Sequence, residues 1–177
     1  MQATGAVHAA GRDPALNQTL RHLAQQYATI VQEVLSDNLT SVVLFGSVAR
    51  GEARSGSDVD LLIVCRELPA GALQRREMFD PVREHLQADL DRLWAQGVYT
   101  DFAEVIKSEV EAETTHPIYL DMTEDAMILF DRDDFFARIL ERLRERLREL
   151  GSQRRQLGRL RYWDLKPDLK PGEAITL

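Results

Sequence analysis

Apolar residues recur at two periods along this chain, and the changes of period divide it into elements. Leu16, Leu20, Leu23, Tyr27, Ile30, Val31 and Val34 fall on one face at helical spacing, which predicts an amphipathic helix. Asp13-Pro14 supplies its start, with Asp13 as N-cap and Pro14 at the first helical position. The helix is expected to end near Asp37-Asn38. Val42–Phe45 are apolar without interruption, the pattern of a strand buried on both faces. Ser47 to about Arg50 then begin a short helix, Gly51 to Ser57 form a loop, and Val59–Val64 make a second strand. That connection is too short for a parallel crossover, so the two strands are read as antiparallel neighbours.

From Gly71 to Trp94 the helical period returns in Met78, Phe79, Val82, Leu86, Leu90 and Leu93. Asp80-Pro81 interrupts it and is read as a restart with its own cap, and Gly97 as its C-terminal stop. Tyr99 to Ile106 are predicted as a third strand, followed by a capping box of Ser108 and Glu111. Residues from Pro117 onward predict a turn or short helix, then a fourth strand over Ala126–Phe130. Phe135, Phe136, Ile139, Leu140, Leu143, Leu147 and Leu150 make a second long amphipathic helix, stopped by Gly151. Ser152 to Leu177, broken by glycine and proline, read as an extended tail anchored by Tyr162-Trp163.

This order predicts an α/β (α+β) domain: a small mixed β-sheet with helices packed on one face and the other face carrying carboxylates. Residues 1–12 are expected to be disordered and 13–131 to form the domain. Residues 132–177 are expected to be a C-terminal helix and extended tail packed on it.

A length of 177 residues fits one domain, and 44 % hydrophobic with 29 % charged residues is the composition of a soluble globular protein. No apolar run approaches the roughly 20 residues of a membrane span, and the N-terminus lacks a secretory pattern. Cys65 is the single cysteine and ends an apolar strand, so it reads as a core thiol in a cytoplasmic protein. A net charge of −7 excludes broad nucleic-acid binding. Half of the 22 Lys and Arg residues nevertheless lie between Arg138 and Lys170, as a solvated helix face or a surface for an anionic partner.

The candidate chemistry lies in residues 41–65. Asp58 and Asp60, two apart at the start of a strand, point to the same face roughly 7 Å apart along the chain. Two like charges so placed repel one another, and a divalent cation would remove the repulsion. Gly46-Ser47 stands where a strand gives way to a helix, a position that suits phosphate because glycine lets it approach free backbone amides. A phosphate cradle ahead of a carboxylate pair is the layout of metal-assisted phosphoryl or nucleotidyl transfer.

Gly46-Ser47, ten residues, then Asp58-Val59-Asp60 followed by Leu-Leu-Ile-Val, resembles the signature of the polymerase-β-like nucleotidyltransferase superfamily, in its minimal, stand-alone form. The resemblance implies that Ser47 and the amides around Gly46 hold a nucleoside triphosphate, ATP or another NTP. It implies that Asp58 and Asp60 bind Mg²⁺, and that Arg50 and Ser57 touch phosphate oxygens. It also calls for a third carboxylate on a neighbouring strand. Asp101 and Glu104, three apart, point to opposite faces. Glu104 shares its face with the apolar Phe102 and Ile106, so Asp101 is favoured as the third catalytic and metal-binding acid. His116 is read as a turn residue, and Asp121, Glu124 and Asp125 as an acidic loop.

By the same resemblance the activity is transfer of an NMP, AMP foremost, to an acceptor hydroxyl. The acceptor in view is a partner HEPN-domain toxin, with this chain as antitoxin. The alternatives are a small-molecule nucleotidyltransferase of the aminoglycoside-modifying kind, or a binding module with weak catalysis. The apolar stripe of helix 134–150 offers a face to a partner, to a second copy of the chain, or to the sheet.

Overall fold

A computed structural model describes residues 13–158, 160–170 and 172–177. The expected disorder of residues 1–12 lies outside the described residues. Helix α1 is Pro14–Leu35, and Asp13 caps it by accepting from the amides of Ala15 and Leu16. Strand β1 (Leu39–Phe45) leads into the one-turn helix α2 (Gly46–Ala49), and β2 (Val59–Cys65) returns antiparallel to β1. Helices α3 (Ala72–Glu77) and α4 (Asp80–Ala95) cross over to β3 (Phe102–Ser108), which pairs parallel to β2. After α5 (Glu109–Glu113) and α6 (Pro117–Asp125), β4 (Met127–Asp131) lies antiparallel on the other side of β1. Helix α7 (Phe135–Glu149) and a hairpin of β5 (Gln153–Leu157) and β6 (Leu160–Asp164) complete the chain.

The main sheet runs β3-β2-β1-β4. Its central strands are apolar on both faces because both faces are covered. Leu39, Val42 and Leu44 of β1 and Val59, Leu61, Ile63 and Cys65 of β2 join Leu20, Leu23, Tyr27 and Val31 of α1 and Val82, Leu86 and Leu90 of α4 in one core. Val43, Leu62 and Val64 point the opposite way, into a second core with Tyr119 and Met122 of α6 and Phe136, Leu140 and Leu143 of α7. Each fully buried Leu, Val or Phe here contributes about 1.5–3 kcal/mol over its exposed state. The expectation of helices on one face is therefore corrected: α6 and α7 cover the second face, as the unbroken apolar runs of β1 and β2 require.

Three local readings also change. Asp80 is the first residue of α4 rather than its cap; Phe79 holds the cap position and makes no side-chain bond. Asp121, Glu124 and Asp125 lie on α6 and not in a loop. The segment after Gly151 is a hairpin rather than a merely extended tail, with Trp163 packed against the second core as its anchor. The basic face of α7 is laced with surface ion pairs, Arg144–Glu141, Arg148–Glu141 and Arg146–Glu149. Burial pushes the Cys65 thiol up to about 12, which makes it an inert core group. No described helix is long and apolar enough to cross a membrane.

Candidate active site

The end of β1 and the starts of β2 and β3 meet at one edge of the sheet. Phe45 stands opposite Asp60 in the antiparallel ladder, and Val59 opposite Phe102 in the parallel one. Strand alternation turns Asp60 to the same side as Leu62 and Val64, the side of α6 and α7. Asp58 and Asp101 extend the ladder by one position, tied by the Asp101 amide donating to Asp58 Oδ1 at 3.3 Å. Asp58 and Asp101 are exposed and Asp60 is half-buried.

Gly46 closes the site from the β1 end. Its φ of +71° is in the left-handed region, and a Cβ at this position would meet Asp60 Oδ2 at 1.9 Å. No other residue type allows this turn to lie so close to the carboxylate. Burial raises the pKa of Asp60, the Asp58 charge raises it further, and the Arg50 charge pulls it back.

Two residues of α1 hold the turn from behind. The buried Asn17 of α1 donates to Val48 O at 3.1 Å and accepts from the Ala53 amide at 3.2 Å. Arg21, one turn on, donates to Val48 O and to Ala49 O, at 3.2 and 2.6 Å. Val48 O also accepts from the Gly51 amide at 3.2 Å, and α1 adds donors to the carbonyls at the end of this one-turn helix. Sequence reasoning missed both residues. The available signal was Asn17, a polar side chain on the same stripe as Leu20, Ala24, Tyr27 and Val31.

The remaining site candidates separate. Arg50 donates its Nε to Glu52 Oε2 at 3.1 Å. Ser57 Oγ accepts from the Arg54 amide at 2.9 Å and so closes the loop. Glu104 lies on the opposite face, ion-paired with Arg83 and accepting from the Tyr27 hydroxyl at 3.1 Å. It cannot join Asp58 and Asp60. Asp101 can by placement, but its Oδ1 accepts from the adjacent Phe102 amide at 2.7 Å. Among the described residues, no three His, Cys, Asp or Glu side chains stand in a metal-holding cluster. Asp58, Asp60 and Asp101 nevertheless share one face at adjacent strand ends, and oxygen donors of this kind are what a divalent cation such as Mg²⁺ takes. His116 caps α6, with Nδ1 accepting from the Ile118 amide, and takes no part in the site.

A glycine turn thus lies against a carboxylate pair at the strand ends of a mixed sheet. Residues 25–117 match the family model of the nucleotidyltransferase domain, and the chain belongs to that family. A candidate protein adenylyltransferase of Methanocaldococcus jannaschii is 26 % identical over 125 residues, which span 71 % of this chain and 81 % of that protein. The crystal structure of a candidate nucleotidyltransferase from Sulfolobus solfataricus is 21 % identical, with a TM-score of 0.43 over 70 % of this chain and 93 % of that one. A complex of a tri-AMPylated Shewanella oneidensis HEPN toxin with an MNT antitoxin matches at 13 % identity, with a TM-score of 0.38 over 72 % of this chain and 92 % of that one.

Proposed function

We propose that this protein is a Mg²⁺-dependent nucleotidyltransferase that moves AMP from ATP to a hydroxyl of another protein in the cytoplasm. The observation that carries the reading is the placement of Asp58, Asp60 and Asp101 on one face, with the Gly46 turn pressed against the Asp60 carboxylate.

In this reading the triphosphate lies along the Gly46-Ser47 turn, where no Cβ keeps it from the backbone, and Arg50 and Ser57 border it. A divalent cation held by Asp58 and Asp60, with Asp101 turned toward them, would lower the charge on the α-phosphate and the pKa of the attacking hydroxyl. The acceptor oxygen bonds to the α-phosphorus as the bond to the bridging oxygen breaks. Pyrophosphate leaves, and the hydroxyl proton passes to one of the three carboxylates. A protein acceptor is supported by the archaeal relative's description as a candidate protein adenylyltransferase. A HEPN-domain toxin is the acceptor that the signature's resemblance to minimal nucleotidyltransferases suggests.

The test is incubation with α-labelled ATP, Mg²⁺ and the candidate partner, followed by counting label on each protein. Label on the partner, lost with EDTA and in the Asp58→Ala/Asp60→Ala double variant, is the expected result. Full neutralisation of a toxic partner by that double variant would overturn transfer as the means of neutralisation.

A further inference from the structure

The C-terminal hairpin lies beyond the residues that match the family model, yet it reaches the signature loop. Glu52, six residues after Gly46, is the meeting point. Its Oε2 accepts from Arg50 Nε at 3.1 Å and from Arg161 Nη1 at 3.1 Å, and its Oε1 accepts from Arg161 Nη2 at 2.5 Å. Arg161, on β6, therefore grips both oxygens, whereas Arg50 touches one. A two-pronged guanidinium–carboxylate contact is the stronger and more directional of the two.

The hairpin is fixed to the body of the protein where this contact is made. Trp163 Nε1 donates to Asp121 Oδ1 at 3.0 Å, and Arg154 pairs with Asp125 at 2.6 Å and with Asp121 at 3.4 Å. Arg161 is thus presented to Glu52 by a braced strand. Glu52 and Arg50 are both about three-quarters buried, at 23 % and 24 % side-chain exposure, and Arg161 reaches Glu52 from the more exposed side, at 37 %. Glu52 is a rival of phosphate: an acid beside Arg50 competes for the guanidinium and repels a polyanion.

We propose that Arg161 is a positioning residue for the donor nucleotide: by holding and neutralising Glu52, it leaves the terminal nitrogens of Arg50 for the triphosphate. Loss of Arg161 removes the two-pronged hold on Glu52 and the charge that offsets it beside Arg50. The inference rests on the reading of the Gly46-Ser47 turn and Arg50 as the triphosphate site, and it gives the appended hairpin a share in that site.

The experiment is titration of the full-length protein with ATP and Mg²⁺, with the thermal midpoint of every variant recorded alongside. Arg161→Met is expected to weaken ATP binding about tenfold, the effect of one hydrogen bond to a charged group. Adding Glu52→Gln to Arg161→Met is expected to restore binding to within about twofold of the parent, because the rival charge is gone. Arg161→Lys, which keeps the charge without the fork, falls between them. Unchanged affinity in Arg161→Met, or a double variant as weak as the single, overturns the proposal. A hairpin that acts only as a brace would lower the midpoint in both variants and show no such rescue. Tight ATP binding by Arg50→Ala overturns the role of Arg50 and this inference with it, while the carboxylate chemistry stands. Absence of ATP binding by the parent protein overturns the nucleotide reading itself.

Discussion

The β2–β3 pair carries acids on both faces, and the two sets are treated in opposite ways. On the α1–α4 side, Glu104 is nearly buried and fully engaged by Arg83 and Tyr27. On the other side, Asp60 is half-buried beside Asp58, and both burial and that neighbour push its pKa up. A buried acid matched to a cation and a hydroxyl holds the fold together. An acid pair left in mutual repulsion is kept at a cost to the fold, a cost that the cation of the proposed function would relieve. The Tyr27 hydroxyl shows the same contrast, its pKa raised by burial and by the Glu104 charge so that it stays a neutral donor.

Substitutions should pull these two faces apart. The largest effect belongs to Asp58→Asn and Asp60→Asn, each expected to lower AMP transfer by about 10³-fold or more, the several kcal/mol that a bound cation contributes. Both variants should keep the fold, as read by circular dichroism. Glu104→Ala should do the reverse. It strands Arg83 in a mostly buried position and is expected to cost about 3 kcal/mol in urea unfolding, with the folded fraction still active. A Glu104→Ala protein of normal stability and no activity would break the comparison.

Gly46→Ala comes next, since it places a Cβ against Asp60 Oδ2 in a left-handed turn. The backbone strain alone is about 1–2 kcal/mol, and displacement of the carboxylate should weaken ATP binding by calorimetry as well. The smallest effect is on the pH dependence of stability. Asp60 has a folded pKa above its ordinary value, so its protonated form is the one that favours the native state. Ionisation therefore removes stability as the pH rises through the folded pKa. Asp60→Asn should melt a little above the parent at neutral pH, and the gap should close on acidification below about pH 4. A gap that widens toward acid would place the repulsion elsewhere.

The meeting of Gly46, Asp58 and Asp60 was readable from sequence because these residues are neighbours in the chain. Gly46, Asp58 and Asp60 sit on two strands joined by one short loop, so spacing alone fixed their side of the sheet. The opposite facing of Asp101 and Glu104 was also readable, since alternation along β3 sends them apart and Phe102 and Ile106 mark the core side. The covered second face was not. Apolarity of β1 on both sides pointed to it, but the mixed polarity of α6, with Asp121, Glu124 and Asp125, reads as a loop until Arg154 and Trp163 supply partners. The hairpin was hidden for a related reason. Gln153-Arg154-Arg155-Gln156 shows no alternation of apolar and polar residues, because β5 is fixed by ion pairs and its β6 ladder rather than by burial. Arg161 and Glu52, 109 residues apart, leave no local trace of their contact.

Parallel pairing of β2 with β3 also sets how far along the chain each carboxylate depends on its neighbours. Gly46, Asp58 and Asp60 are brought together by the β1–β2 ladder, a pairing of adjacent segments. Asp101 is brought beside them by a pairing that spans the α3–α4 crossover, a contact of longer range. A change in the length or packing of that crossover would therefore move Asp101 and leave the other two where they are.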